Sequence, residues 1–273
     1  MNSEIDLLLT TTSAISAETD LMLAVRLARE AGELLLALQT QALQDGTPAA
    51  ELKSLGDQCA QDYLAASLAD KRPQDHVLSE EGADNQRRTA AQRVWIIDPL
   101  DGTREFSEGR TDWAVHVALW VSGRLQVGAV ALPGLGKTLG SAPQQTAPQR
   151  QPGPLRFAVS RTRASNLVTE LASRFDAELI PMGSAGFKAA AVIEGVVDAY
   201  VHSGGQYEWD SAAPVAVARS RGLHASRIDG SELLYNRADP YLPDLLLCRP
   251  DLATEMLDGI RKIGGTIAQT KKN

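Results

Sequence analysis

The apolar residues change rhythm along the chain, and that rhythm predicts most of its elements. From Thr19 to about Gln41, Leu21, Ala24, Val25, Ala28, Ala31, Leu35 and Leu38 recur near a 3.6-residue period, which predicts a long amphipathic helix. A second helix is expected over Leu55–Ala69, stopping before Pro73. "HVLSEE" (His76–Glu81) and "RVWIID" (Arg93–Asp98) read as strands that end in acids. "WAVHVALWVSGRLQVGAVALP" (Trp113–Pro133) alternates on either side of Ser122-Gly123 and predicts a hairpin. Gly134–Pro154 is rich in Gly, Pro and Gln and reads as a loop or linker. Beyond it, strands over Leu155–Ser160 and Val196–His202 alternate with helices over Ala164–Arg174, Ser184–Glu194 and Trp209–Arg221. The pattern predicts an α+β half over residues 1–150 and an α/β half over 151–273. The first 17 residues read as a loose polar lead-in.

Composition narrows the function. With 273 residues, 44% of them hydrophobic, the chain can bury a sizeable core in one large domain or two modest ones. No apolar run reaches the roughly 18 residues of a spanning helix, so no membrane segment is expected. Cys59 and Cys248 lie far apart and suggest no disulfide framework, which fits a reducing cytoplasm. A net charge of -7, without a dense Lys/Arg run, argues against nucleic-acid polymers and anionic membranes as partners.

The acids carry the candidate chemistry. Asp57 sits inside a helix, Glu80 and Glu81 end one strand, Asp98 and Asp101 end another, and Asp210 opens a helix. Any one of them reads as well as a turn or cap residue. Together they would repel one another, and burial would raise their pKa values unless a divalent cation relieved both costs. Hard oxygen ligands without His or Cys point to Mg²⁺ or Mn²⁺. Such ions can bind a phosphate and activate a water. In "WIIDPLDGTREF" (Trp95–Phe106) the strand delivers Asp98, Pro99 fixes the turn, and Asp101 points back to the same site. Gly102 and Thr103 then offer backbone N–H groups at a helix start, and the Thr103 hydroxyl could orient a water. "GLGKT" (Gly134–Thr138) is set aside as a phosphate-binding loop, because Ala131 stands where that motif needs glycine. There is no GxSxG, HExxH or paired CxxC, and His76, His116 and His224 read as structural residues in apolar strand surroundings.

"SEE" (Ser79–Glu81), "WIIDPLDGTREF" and "EWDSAAP" (Glu208–Pro214), in that order, resemble the lithium-sensitive, magnesium-dependent phosphatases of the inositol monophosphatase superfamily. The basic residue in "DGTREF" is similar to the family's CysQ branch, the 3'(2'),5'-bisphosphate nucleotidases. The resemblance spans about Thr19 to Pro250 and implies a layered α-β-α-β-α sandwich. It implies two to three Mg²⁺ ions: one on Glu80, Asp98 and the Leu100 carbonyl, a second on Asp98, Asp101 and Asp210, and a third on Glu80 with Asp57 through water. It further implies a water-activating dyad of Asp57 and Thr103, and a phosphate cradle at Gly102 and Thr103. "MGSAGFKAAAVIEG" (Met182–Gly195) matches the family's substrate loop, with Gly183, Ser184 and Ala185 toward the sugar and Lys188 toward a second phosphate or base. Arg163 stands where the branch often carries histidine and His202 where it usually carries arginine; both are candidates to meet an anion.

The implied activity is removal of the 3'-phosphate of 3'-phosphoadenosine 5'-phosphate, and of its 5'-phosphosulfate form, in sulfate assimilation. Inositol-1-phosphate and fructose-1,6-bisphosphate are the alternative substrates, and a non-catalytic metal-binding scaffold is the alternative outside enzymes. Thr103 weighs against the scaffold, which has no use for a water-activating hydroxyl. Family habit implies a homodimer acting on a small phosphorylated substrate.

Overall fold

Helix α1 (Asp20–Asp45) begins where Thr19 caps it, accepting from the Met22 amide, and ends where Gly46 adopts φ 70°. The structure, a computed structural model, describes residues 18–142, 146, 149–150, 152–162 and 164–270. The polar lead-in over residues 1–17, Arg163 and part of the Gly/Pro/Gln stretch lie outside the described residues.

Helix α2 spans Ala49–Lys71, six residues earlier than its expected start at Leu55. Pro48 sets the entry, and the Ala and Glu residues after it favour helix strongly enough to bring Leu52 into the core. Strands β1 (His76–Ser79) and β2 (Arg93–Asp101), the short helix α3 (Thr103–Ser107), and strands β3 (Ala114–Val121), β4 (Arg124–Leu132) and β5 (Lys137–Gly140) follow. The expected hairpin is β3–β4, closed by Ser122 at φ 45° and Gly123 at φ 98°, as a primed two-residue turn requires. The segment read as loop after Pro133 contains β5, which pairs antiparallel with β4; its Gly and Lys content hid a short edge strand.

The second half comprises β6 (Arg156–Ser160), α4 (Asn166–Phe175), β7 (Glu178–Met182), α5 (Ala185–Ile193), β8 (Ala199–His202), β9 (Gln206–Tyr207) and α6 (Glu208–Ser220). It ends with β10 (His224–Ser226), β11 (Tyr241–Leu242), β12 (Leu245–Cys248) and α7 (Ala253–Thr270). One sheet has the order β1-β2-β3-β4-β5 and the other β10-β12-β8-β6-β7, with β9 and β11 forming a separate ribbon.

Burial sorts these elements into five layers. Leu23, Leu27, Leu35, Leu52 and Leu64 of α1 and α2 pack on Trp95, Ile97, Val115 and Val117 of the first sheet. The opposite face of that sheet, with Val94, Ile96, Ala114 and Ala118, packs on α5 and α6. The second sheet covers the other side of those helices, and its outer face takes Leu171 of α4 and Met256 and Ile260 of α7. The result is the α-β-α-β-α sandwich. It also explains the unbroken apolar run in β2: both of its faces are buried, so alternation disappears.

The middle layer is tight. A Cβ on Gly128 of β4 would lie 2.6 Å from the Ala213 carbonyl oxygen and 2.7 Å from the Ala216 Cβ, so α6 sits directly on the strand. Since α6 carries Asp210 in its first turn, Gly128 sets the height of that carboxylate over the sheet. Gly128→Val is expected to destabilise the fold by about 1–3 kcal/mol in urea titration, through overpacking, and to lower activity further than stability alone accounts for. A variant with wild-type stability and turnover would show that α6 has room to spare.

Candidate active site

The alternation of β2 places Asp98 on the middle-layer face with Val94 and Ile96. A register shift against β3 between Asp98 and Asp101 re-aims the strand end, so that Asp101 turns to the same side. Asp210 arrives from the first turn of α6. Oxygen atoms of Asp98, Asp101 and Asp210 all lie within 4.8 Å of one another. Glu80, just beyond β1, interacts with Asp98 and borders the same cavity as Asp101 and Asp210.

Crowding leaves a clear electrostatic mark. Burial, reinforced by the charges of Glu80, Asp101 and Asp210, raises Asp98 well above the usual carboxylate range. Burial and then the charge of Asp101 lift Asp210 to about 7. Glu80 is exposed as a residue, yet loss of hydration at its carboxyl, with repulsion from Asp210, Asp101 and Glu81, lifts it to about 7. Burial and the charge of Glu81 lift Asp57 to about 6. The donor set is all carboxylate and its charges are incompletely neutralised, which fits a hard divalent cation.

Asp57 and Thr103 come together as expected, with the Thr103 hydroxyl 3.5 Å from Asp57 Oδ1 and 3.2 Å from the Leu100 carbonyl oxygen. The Leu100 amide in turn donates to Asp98 Oδ1. Gly102, at φ 95°, lets the chain turn from β2 into α3; a Cβ there would meet Ser184 and Trp113 at 3.1 Å.

The cavity has a volume of about 490 Å³ and is bordered by Glu80, Asp101, Gly102, Gly183, Ser184, Ala185, Lys188, His202 and Asp210 among others. Asp101 is also the acceptor for the start of α5: the Ser184 hydroxyl and the amides of Ala185 (3.0 Å) and Gly186 donate to it. Lys188 is buried, and its ammonium donates to the carbonyl oxygens of Gly183 (3.1 Å) and Ser184. The ammonium also lies over the Tyr200 ring, 5.3 Å from its centroid. His202 Nε2 donates to the Gly205 carbonyl, and both residues border the cavity.

One residue that sequence reasoning passed over, Asp112, and one that it read as structural, His116, support this arrangement. Asp112 accepts from the Gly183 amide at 2.7 Å and ties the loop before α5 to the segment that leads into β3. His116 is fully buried beside Asp98 and Asp101 rather than in purely apolar surroundings. Its cross-strand position opposite Asp98 is a signal that only the β2–β3 register supplies.

Five layers enclosing a carboxylate cluster at the end of β2 define a metal-dependent phosphatase fold, and residues 16–257 match the model of the inositol monophosphatase family. The chain belongs to that family. It is 48% identical over 258 residues to a 3'-phosphoadenosine 5'-phosphate phosphatase of Mycobacterium leprae, covering 90% of this chain and 94% of the relative. Among solved structures it resembles inositol monophosphatase II of Staphylococcus aureus, with a TM-score of 0.75 and 21% identity over 90% of this chain and 98% of the other. It also resembles CysQ of Bacteroides thetaiotaomicron, with a TM-score of 0.71 and 23% identity over 85% and 97%.

The raised carboxyls generate a pH prediction for metal-stripped protein. On unfolding, Asp57 and Asp210 return from about 6 and about 7 toward 3.8, and Glu80 from about 7 toward 4.5. The folded state therefore holds more protons than the unfolded chain across that interval, and its stability falls as pH rises through it. In EDTA, the Tm is expected to decline from about pH 5 to about pH 7.5, and Mg²⁺ or Mn²⁺ is expected to restore it at the upper end. A Tm that rises over this range would contradict the assignment.

Proposed function

We propose that the protein is a Mg²⁺-dependent phosphomonoesterase that removes the 3'-phosphate of 3'-phosphoadenosine 5'-phosphate. The observation that carries the substrate is the 48% identity to a phosphatase named for it, across 94% of that relative. The carboxylate cluster beside the Asp57–Thr103 pair supports the chemistry. The 5'-phosphosulfate form shares the 3'-phosphate and is included as a substrate. Unpaired Cys59 and Cys248 support a cytoplasmic location. A homodimer, testable by light scattering, belongs to the same proposal.

Glu80, Asp98, Asp101, Asp210 and the Leu100 carbonyl would hold two Mg²⁺ ions, with Asp98 shared, and Glu80 with Asp57 a third. When bound, these ions supply positive charge that offsets the carboxylates and Lewis acidity toward the phosphate. Asp57, as the anion, accepts from the Thr103 hydroxyl and leaves the Thr103 oxygen free to accept a proton from the attacking water. A pKa of about 6 keeps Asp57 ionised at neutral pH yet basic enough to share that proton. The amides of Gly102 and Thr103 orient the phosphate oxygens. Gly183, Ser184 and Ala185 face the sugar. Lys188, together with His202, meets the second phosphate; Arg163, the third candidate, lies outside the described residues.

A side-by-side kcat/KM panel on 3'-phosphoadenosine 5'-phosphate, inositol-1-phosphate and fructose-1,6-bisphosphate, with and without Mg²⁺, tests the reading. The bisphosphate nucleotide is expected to lead, and activity to vanish in chelator. A lead for inositol-1-phosphate would move the substrate to the alternative, and no phosphate release at all would revive the scaffold. Asp98→Asn is expected to keep the fold and lose more than about a thousandfold in kcat, since it removes a shared ligand. Retention of a tenth of wild-type turnover at saturating Mg²⁺ would refute that bridging role. Lys188→Ala is expected to weaken kcat/KM about ten- to a hundredfold for the bisphosphate nucleotide and less for inositol-1-phosphate, which lacks the second phosphate. Equal losses would assign Lys188 to holding the Gly183 and Ser184 carbonyls alone.

A further inference from the structure

His116 lies at the junction of every segment that contributes to the carboxylate cluster. It is fully buried on β3, directly opposite Asp98 in the β2–β3 register, and its Nδ1 lies 3.9 Å from Asp98 Oδ2. That Nδ1 is 3.0 Å from the Trp209 carbonyl oxygen. A carbonyl only accepts, so Nδ1 carries the hydrogen and the bond holds the backbone one residue ahead of Asp210. The other ring nitrogen, Nε2, lies 3.4 Å from Asp101 Oδ2 and has no hydrogen-bond partner among the described residues. The ring is also pressed against the start of α5: a Cβ on Gly186 would fall 1.9 Å from Nε2. The Gly186 amide donates to Asp101, so the residue that touches the ring also holds the carboxylate beside it.

A buried polar atom without a partner is rare enough to need a reason. A rigid planar ring here does what a flexible side chain would not. It stands between Asp98 and Asp101 on one side and the Trp209 carbonyl on the other, and so limits how closely β2 and the start of α6 can approach. We propose that His116 is a positioning residue for the metal centre, a spacer that holds Asp98, Asp101 and Asp210 at ion-binding separation. The proposal rests on the reading of those three acids as metal ligands. Residues behind a ligand shell commonly change metal affinity about ten- to a hundredfold when removed.

The test is isothermal titration of Mg²⁺, and of Mn²⁺ as a tighter probe, into wild type, His116→Leu, His116→Asn and Gly186→Ala, without substrate. Circular dichroism and thermal melts in chelator report folding separately. His116→Leu is expected to bind the ions about ten- to a hundredfold more weakly. His116→Asn, whose amide nitrogen can replace Nδ1 as donor to Trp209, is expected to lose less, and Gly186→Ala to lose affinity because the methyl group displaces the ring. A purely structural histidine would lower the chelator melt and leave ion affinity untouched. Unchanged affinity in folded His116→Leu therefore overturns the inference. If that variant does not fold, unchanged affinity in both His116→Asn and Gly186→Ala overturns it, and weakening in either supports it. Wild type that binds no divalent cation overturns the metal centre itself, and the inference with it.

Discussion

Three carboxylates held within 4.8 Å of one another are the constraint around which the rest of the molecule is arranged. Left alone, such a group would spread apart or take up protons, and the lifted Asp98, Asp210 and Glu80 record that tendency. The fold resists by drawing the acids from two rigid elements: Asp98 and Asp101 from either side of a register shift at the end of a central strand, and Asp210 from the first turn of a buried helix. Gly128 brings that helix down onto the sheet, and the two-sided burial of β2 keeps the strand from shifting.

Asp101 shows how the centre is joined to the substrate wall. Its carboxylate receives the Ser184 hydroxyl and the first amides of α5, so a residue of the first sheet caps a helix that lies against the second. Lys188 grips the carbonyls of the same turn from within the helix, and Asp112 holds its leading amide from the segment before β3. The loop that would face the sugar is therefore tied down from three directions by charged groups, rather than packed in place by apolar contacts. Any redistribution of charge at Asp101 is felt at the start of α5.

The acids and their order were legible because their chemistry depends on residue type: "DPLDGT" and "EWD" announce carboxylates wherever they lie. The long α1 was legible because one apolar stripe faces one layer. What could not be read depended on pairing. His116 looks like a core residue until β3 is placed in register with β2, which sets it across from Asp98. Asp112 gains its role only when Gly183 arrives from 71 positions away. Strands β10 and β12 and helix α7 escaped because turn residues such as Gly222, Asp229-Gly230, Asp239-Pro240, Pro243 and Pro250 break the segment into short pieces, which form through long-range pairing and burial. The start of α2 was misplaced because its first six residues bury one apolar side chain, Leu52, too few to mark a helical period.

The middle layer separates two kinds of work. The carboxylates belong to the first sheet and α6, while Val159, Met182 and Val201 line the cavity from the second sheet. Substitutions on that far wall can reshape the space available to a ligand without disturbing the carboxylate cluster. A lineage built this way can trade one phosphorylated metabolite for another by small steps, keeping a working centre at every stage. The geometry thus makes drift in specificity easy and loss of hydrolysis hard.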